Sequence, residues 1–73
     1  MIRKASVVIE KTEDGFFAWC PELKGFQSQG QTIEEATANI REAIELYFET
    51  LTEDERSRAF SQEIFTAFLE VHA

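Results

Sequence analysis

The chain has 73 residues, a net charge of −7 and 44% apolar residues, which fits one small domain and not a disordered acidic tail. A domain of this size buries only about 60% of its unfolded surface, so its core is marginal. Cys20 alone excludes an internal disulfide, and with His72 it falls short of the roughly four ligands of a structural zinc site.

Residues 2–11, IRKASVVIEK, hold the β-branched run Val7-Val8-Ile9 and are expected to form a strand. Thr12 to Gly15, TEDG, has the chemistry of a tight hairpin turn. A second strand is expected over Phe16 to Cys20, stopped by Pro21, which has no N–H for a ladder. The PELKG loop then leads into a short third strand, Phe26 to Gln29, and the three strands make an antiparallel meander.

From Ile33 the period changes. Ile33, Ala36, Ile40, Ala43, Ile44, Tyr47, Phe48 and Leu51 recur at helical spacing, and Thr32 with Glu35 forms a capping-box pattern. The expected helix spans 32 to about 51. Thr52 to Arg58, TEDERSR, is expected to be a charged connector. In the tail, Ile64, Phe65, Phe68 and Leu69 fit one helical face, but the residue types favour a fourth strand buried on both sides. Phe60, Ile64 and Phe68 would lie on one side of it, with Phe65, Leu69 and Val71 on the other.

One helix covers one face of such a sheet and leaves the other bare, which calls for a homodimer or higher homo-oligomer. Phe17, Trp19, Phe65 and Leu69 are the expected self-association residues. On the helix, steps of about 100° put Glu34, Glu35, Glu42, Glu45 and Glu49 opposite the apolar stripe, with Leu46 on the flank and Arg41 the nearby cation. A solvated face explains such a ridge. So does a docking surface for a basic partner, with Glu42, Glu45, Leu46 and Glu49 near the contacts.

Catalytic, metal and cofactor sites are not expected. Cys20, between Trp19 and Pro21, is placed as a small buried hydrophobe, and His72 lies beside the C-terminus. Glu13 and Asp14 serve the first turn. The acid excess argues against direct nucleic-acid binding, which needs clustered Lys and Arg, and favours a basic protein partner. No apolar run reaches the eighteen or so residues of a membrane span, and the N-terminus lacks a signal-peptide pattern, so a cytoplasmic protein is expected.

Glu13 to Glu49, EDGFFAWCPELKGFQSQGQTIEEATANIREAIELYFE, closely resembles the signature of the HicB-like antitoxins. The shared pattern is an acidic-Gly turn, an aromatic strand ending in Pro, PEL-x-G, a short SQG strand, T-x-EEA and an EAIELY helix. Lys24 stands where the family usually has proline, and Phe26 where a small residue or cysteine is frequent. The resemblance implies an α+β, β-β-β-α-β domain similar to a partial ribonuclease-H-like fold, with a small antiparallel-type sheet and one helix on one face. It implies a type II antitoxin, not an enzyme, that binds a small basic HicA-type toxin and blocks its mRNA cleavage. Residues 1–73 are expected to be that single domain, with no C-terminal DNA-binding domain. The alternative is an orphan homo-oligomeric binding or structural protein with no toxin partner.

Overall fold

The computed structural model describes residues 3–72. Strands β1 (Val8–Thr12), β2 (Gly15–Trp19) and β3 (Gln27–Gly30) form an antiparallel sheet in the order β1-β2-β3. Helix α1 (Ile33–Glu49) and a short helix α2 (Glu53–Ala59) follow. The α+β class and the three-stranded meander are as the sequence implies.

The first hairpin is as tight as TEDG allows. Thr12 pairs with Gly15, so Glu13 and Asp14 are the whole turn. The Asp14 N–H donates to Thr12 Oγ1 at 3.3 Å, and Gly15 takes a φ of 131°, which side chains resist. The second connection closes where the Cys20 N–H donates to the Phe26 carbonyl at 3.2 Å. Directly opposed residues share a face, so Ile9, Phe16, Ala18, Ser28 and Gly30 line one side of the sheet. Val8, Glu10, Phe17, Trp19, Gln27 and Gln29 line the other.

Helix α1 packs on the first side, chiefly over β3 and less over β2. Its Thr32 cap accepts the Glu35 N–H at 3.0 Å, while the Glu35 carboxylate reaches back to the Gln31 N–H at 3.2 Å. Ala36, Ile40 and Ile44 are buried against Ala18, Cys20 and Leu23. Among the described residues Ile40 is the one large side chain fully enclosed, so the core is thin. Phe16, Phe26, Tyr47, Phe48 and Phe60 pack half-buried around it.

The structure departs from the sequence reading in several places, the second strand among them, which runs over Gly15–Trp19 and not Phe16 to Cys20. The charged connector is a helix: Thr52 and Glu55 exchange capping-box bonds at 3.2 and 2.8 Å, and Asp54 pairs with Arg58 one turn on at 3.4 Å. Acidic residues open α2 and basic ones close it, matching its dipole. The first strand is shorter than 2–11: Ile2 lies outside the described residues, and Arg3 to Val7 pair with no strand. The third strand is shifted by one residue, to Gln27–Gly30.

The expected fourth strand over Phe60 to Val71 is not formed in this chain. Phe60 caps α2, and no regular element follows it among the described residues. A strand needs a neighbour's N–H and C=O groups, and among the described residues this segment is paired with no strand.

Two glycines allow close backbone approach, Gly30 between β3 and α1 and Gly15 between β2 and β3. A Cβ on Gly30 would stand 2.6 Å from the Ala36 nitrogen and 2.9 Å from Glu35 Cβ, and one on Gly15 would stand 2.6 Å from the Gly30 carbonyl oxygen. Gly30→Ala is therefore expected to cost about 1–3 kcal/mol, as overpacking does. Thermal unfolding would show this as a drop of several degrees, at about 4–8 °C per kcal/mol for a chain of this size. An unchanged midpoint would contradict the close approach.

Candidate protein-binding site

The loop after β2 does more than connect. Leu23 is buried in the core, while the two oxygens of the neighbouring Glu22 carboxylate each lie 3.1 Å from the Ser6 nitrogen and accept its N–H. The Cys20 thiol donates to Glu22 Oε1 at 3.5 Å. This carboxylate holds the segment before β1 against the sheet on its inner side, although no ladder pairs it there.

Cys20 is buried in the core. Burial first, and then the Glu22 carboxylate beside it, push its thiol above the ordinary value. A protonated, enclosed sulfur is a packing group. Because the folded form holds the thiol proton more tightly, Cys20 contributes stability that is complete below the unfolded thiol range. That contribution is lost as pH rises from about 8.5 on through the higher value of the folded thiol. The unfolding midpoint should therefore fall more between pH 7.5 and 9.5 in the wild type than in Cys20→Ala. Equal slopes would show that the proton is not held.

Because α1 sits over β2 and β3, the helix-facing side of β1 stays open. Val7 and Ile9 are 37% and 36% exposed there. Arg3, Ala5 and Val7 form one wall of a groove of about 650 Å³, and Ile40, Ile44 and Phe48 of α1 form the other. Phe60 closes one end, stacked edge-on against Phe48 at 5.1 Å. Arg3 pairs with Glu53 at 2.8 Å, and Arg56 donates to the Phe48 carbonyl at 2.9 Å, so α2 is tied to both walls.

The four expected partner-binding residues, Glu42, Glu45, Leu46 and Glu49, are all exposed, Leu46 at 55%. They are not one patch with a single outlook. Glu45 and Glu49 rim the groove, Glu42 tops the helix, and Leu46 falls on the flank above β3. Glu35, part of the expected ridge, is folded into the N-terminal cap. Among the described residues, Glu42, Glu45 and Glu49 make no ion pair, and the last turn of α1 holds no basic residue. Glu45 and Glu49 repel at one-turn spacing and face an unfavourable helix end, so the fold gains nothing from them.

The expected self-association residues fall in two places. Phe17 and Trp19 stack at 5.7 Å on the side of the sheet away from α1. Phe65 and Leu69 stand 86% and 84% exposed on the segment after α2. The groove and the Glu22 contact with Ser6 were not read from the sequence. The odd-numbered run Arg3, Ala5, Val7, Ile9 was the available signal for a wall, but its partner wall depends on where α1 sits. Among the described residues, no three His, Cys, Asp or Glu side chains are placed to share a metal ion, and no helix is long and apolar enough to cross a membrane.

The sequence matches the family described as HicB-like antitoxin of bacterial toxin–antitoxin system over residues 6–69, and the chain belongs to that family. A UPF0150 protein of Helicobacter pylori is 58% identical over 50 residues, covering 68% of this chain and 69% of the relative. A UPF0150 protein of Synechocystis is 60% identical over 47 residues, covering 63% of this chain and 60% of the relative. An uncharacterized 14.9 kDa protein of Haemophilus phage HP1 is 39% identical over 49 residues, 67% of this chain but 37% of the phage protein. No solved structure matches.

Proposed function

We propose that this chain is a non-enzymatic antitoxin that neutralises a small, basic, HicA-type mRNA-cleaving toxin by covering its RNA-binding or active surface. The carrying observation is the family match over residues 6–69 together with the unpaired carboxylates of α1. A toxin that grips RNA presents positive charge, and Glu42, Glu45 and Glu49 supply a complement that also speeds encounter. Leu46 adds an apolar contact at the flank. Assembly as a homodimer or higher homo-oligomer belongs to the same reading, motivated by Phe17, Trp19, Phe65 and Leu69. In the rival reading, a homo-oligomeric protein without a toxin, the same glutamates are only a solvated face.

Co-expression with the adjacent open reading frame tests this. The neighbour is expected to co-purify and to lose its RNA cleavage. Changing Glu45→Lys and Glu49→Lys together should weaken the complex at least tenfold at low salt, with the difference shrinking as salt screens it. Thermal stability of the free chain should hold or rise slightly, since lysines suit the C-terminal end of α1. A neighbour that stays active and unbound at low salt overturns the antitoxin reading.

A further inference from the structure

The segment after α2 and the groove beside β1 have complementary shapes and opposite needs. From Glu63 to His72 the chain has no regular element, and the last backbone hydrogen bond among the described residues is from the Ser61 N–H to the Arg58 carbonyl at 3.2 Å. Phe68, Leu69 and Val71 stand 106%, 84% and 79% exposed. These are strand-forming residues with unused N–H and C=O groups. Across the groove, β1 is an edge strand, and Glu22 holds the Arg3–Val7 segment only from its inner side. The outer edge is left free to accept a strand.

We propose that Ile64 to Val71 of one copy adds as a strand to the outer edge of β1 on a second copy, in reciprocal exchange. The inference rests on the self-association reading and is independent of any toxin. Alternation puts Phe65, Ala67, Leu69 and Val71 on one side of the arm, all apolar. That side enters the groove between Val7 and Ile40, Ile44 and Phe48. Ile64 and Phe68, on the other side, lie beside Val8 and extend the Phe17–Trp19 face. Eight extended residues reach about 26 Å, more than the roughly 16 Å of the five-residue β1, so the arm would run on beside the Arg3–Val7 segment.

The occupant is a second copy because the arm leaves its own body. The radius of gyration is 14.0 Å and the long dimension 45 Å, where a compact chain of this length has a radius near 11 Å. Between Phe60 and Val71 there is no glycine or proline to turn the arm back. Two copies related by a twofold axis use both arms and both grooves, which closes the assembly. Arg41, on the groove wall, gives Glu63, in phase with the arm's groove-facing side, a cation to approach.

Sedimentation of the full chain, with hydrogen exchange on the same samples, tests the exchange. The expected result is a dimer at micromolar concentration in which Phe65–Val71 amides are protected, with protection lost on dilution to single chains. Phe65→Asp with Leu69→Asp should weaken the dimer about 100-fold, since each apolar side chain withdrawn costs about tenfold or more. The variant's helix signal should be unchanged, because the arm lies outside the core. A dimer that survives this variant with its arm amides unprotected overturns strand exchange and leaves self-association standing. A single-chain mass overturns both, and protected arm amides in that single chain would show the arm closing on its own groove.

Discussion

A seventeen-residue helix lying over two strands of a three-stranded sheet leaves the third strand with one side uncovered, and most of this structure follows from that. The placement is set by contact at Gly30, where β3 and the first turn of α1 approach too closely for any side chain. Anchored there, α1 runs along β3 and β2, and its buried stripe of Ala36, Ile40 and Ile44 is spent on Ala18, Cys20 and Leu23. Ile40, Ile44 and Phe48 then look onto Val7 only across an open groove, and Ile9 stays 36% exposed. The groove is thus a by-product of a tight helix–sheet junction.

The loop between β2 and β3 and the short helix α2 keep that groove in shape. Leu23 plugs the core while Glu22, its neighbour, fixes Ser6 through both carboxylate oxygens. At the far end Arg3 is held by Glu53, and Glu53 also meets Arg56 at 3.3 Å. The segment from Arg3 to Val7 therefore holds its position without a strand partner of its own. Exposed ion pairs of this type add little stability singly, so their effect is on position more than on energy.

Much of the fold was legible because its signals are local. The turn at Asp14-Gly15, the break at Pro21 and the 3.6-residue stripe from Ala36 to Phe48 each report a backbone preference that holds wherever the segment lies. Helix α2 was missed because it has no apolar stripe; its signal was the second T-x-x-E, at Thr52 and Glu55, in a run that otherwise reads as solvent-facing. The tail misled for a different reason. Its residue types do favour a strand, but forming one depends on an edge that composition cannot locate. The exposed glutamates of α1 were legible as charge and not as place: their division between groove rim and helix top required the seat of α1. The bond from Ser6 to Glu22 joins residues sixteen apart by position alone, and no pattern announces it.

The uncovered arm has a consequence for how long a copy survives. Phe65, Phe68 and Leu69 are the side chains that many proteases select, and here they sit on backbone with no internal hydrogen bonds to break before cleavage. A solitary copy carries a ready substrate at its end, and a copy whose arm is laid into a neighbour does not. If copies exchange arms as proposed above, lifetime tracks concentration: as the total falls, the share of solitary copies rises and these are trimmed first.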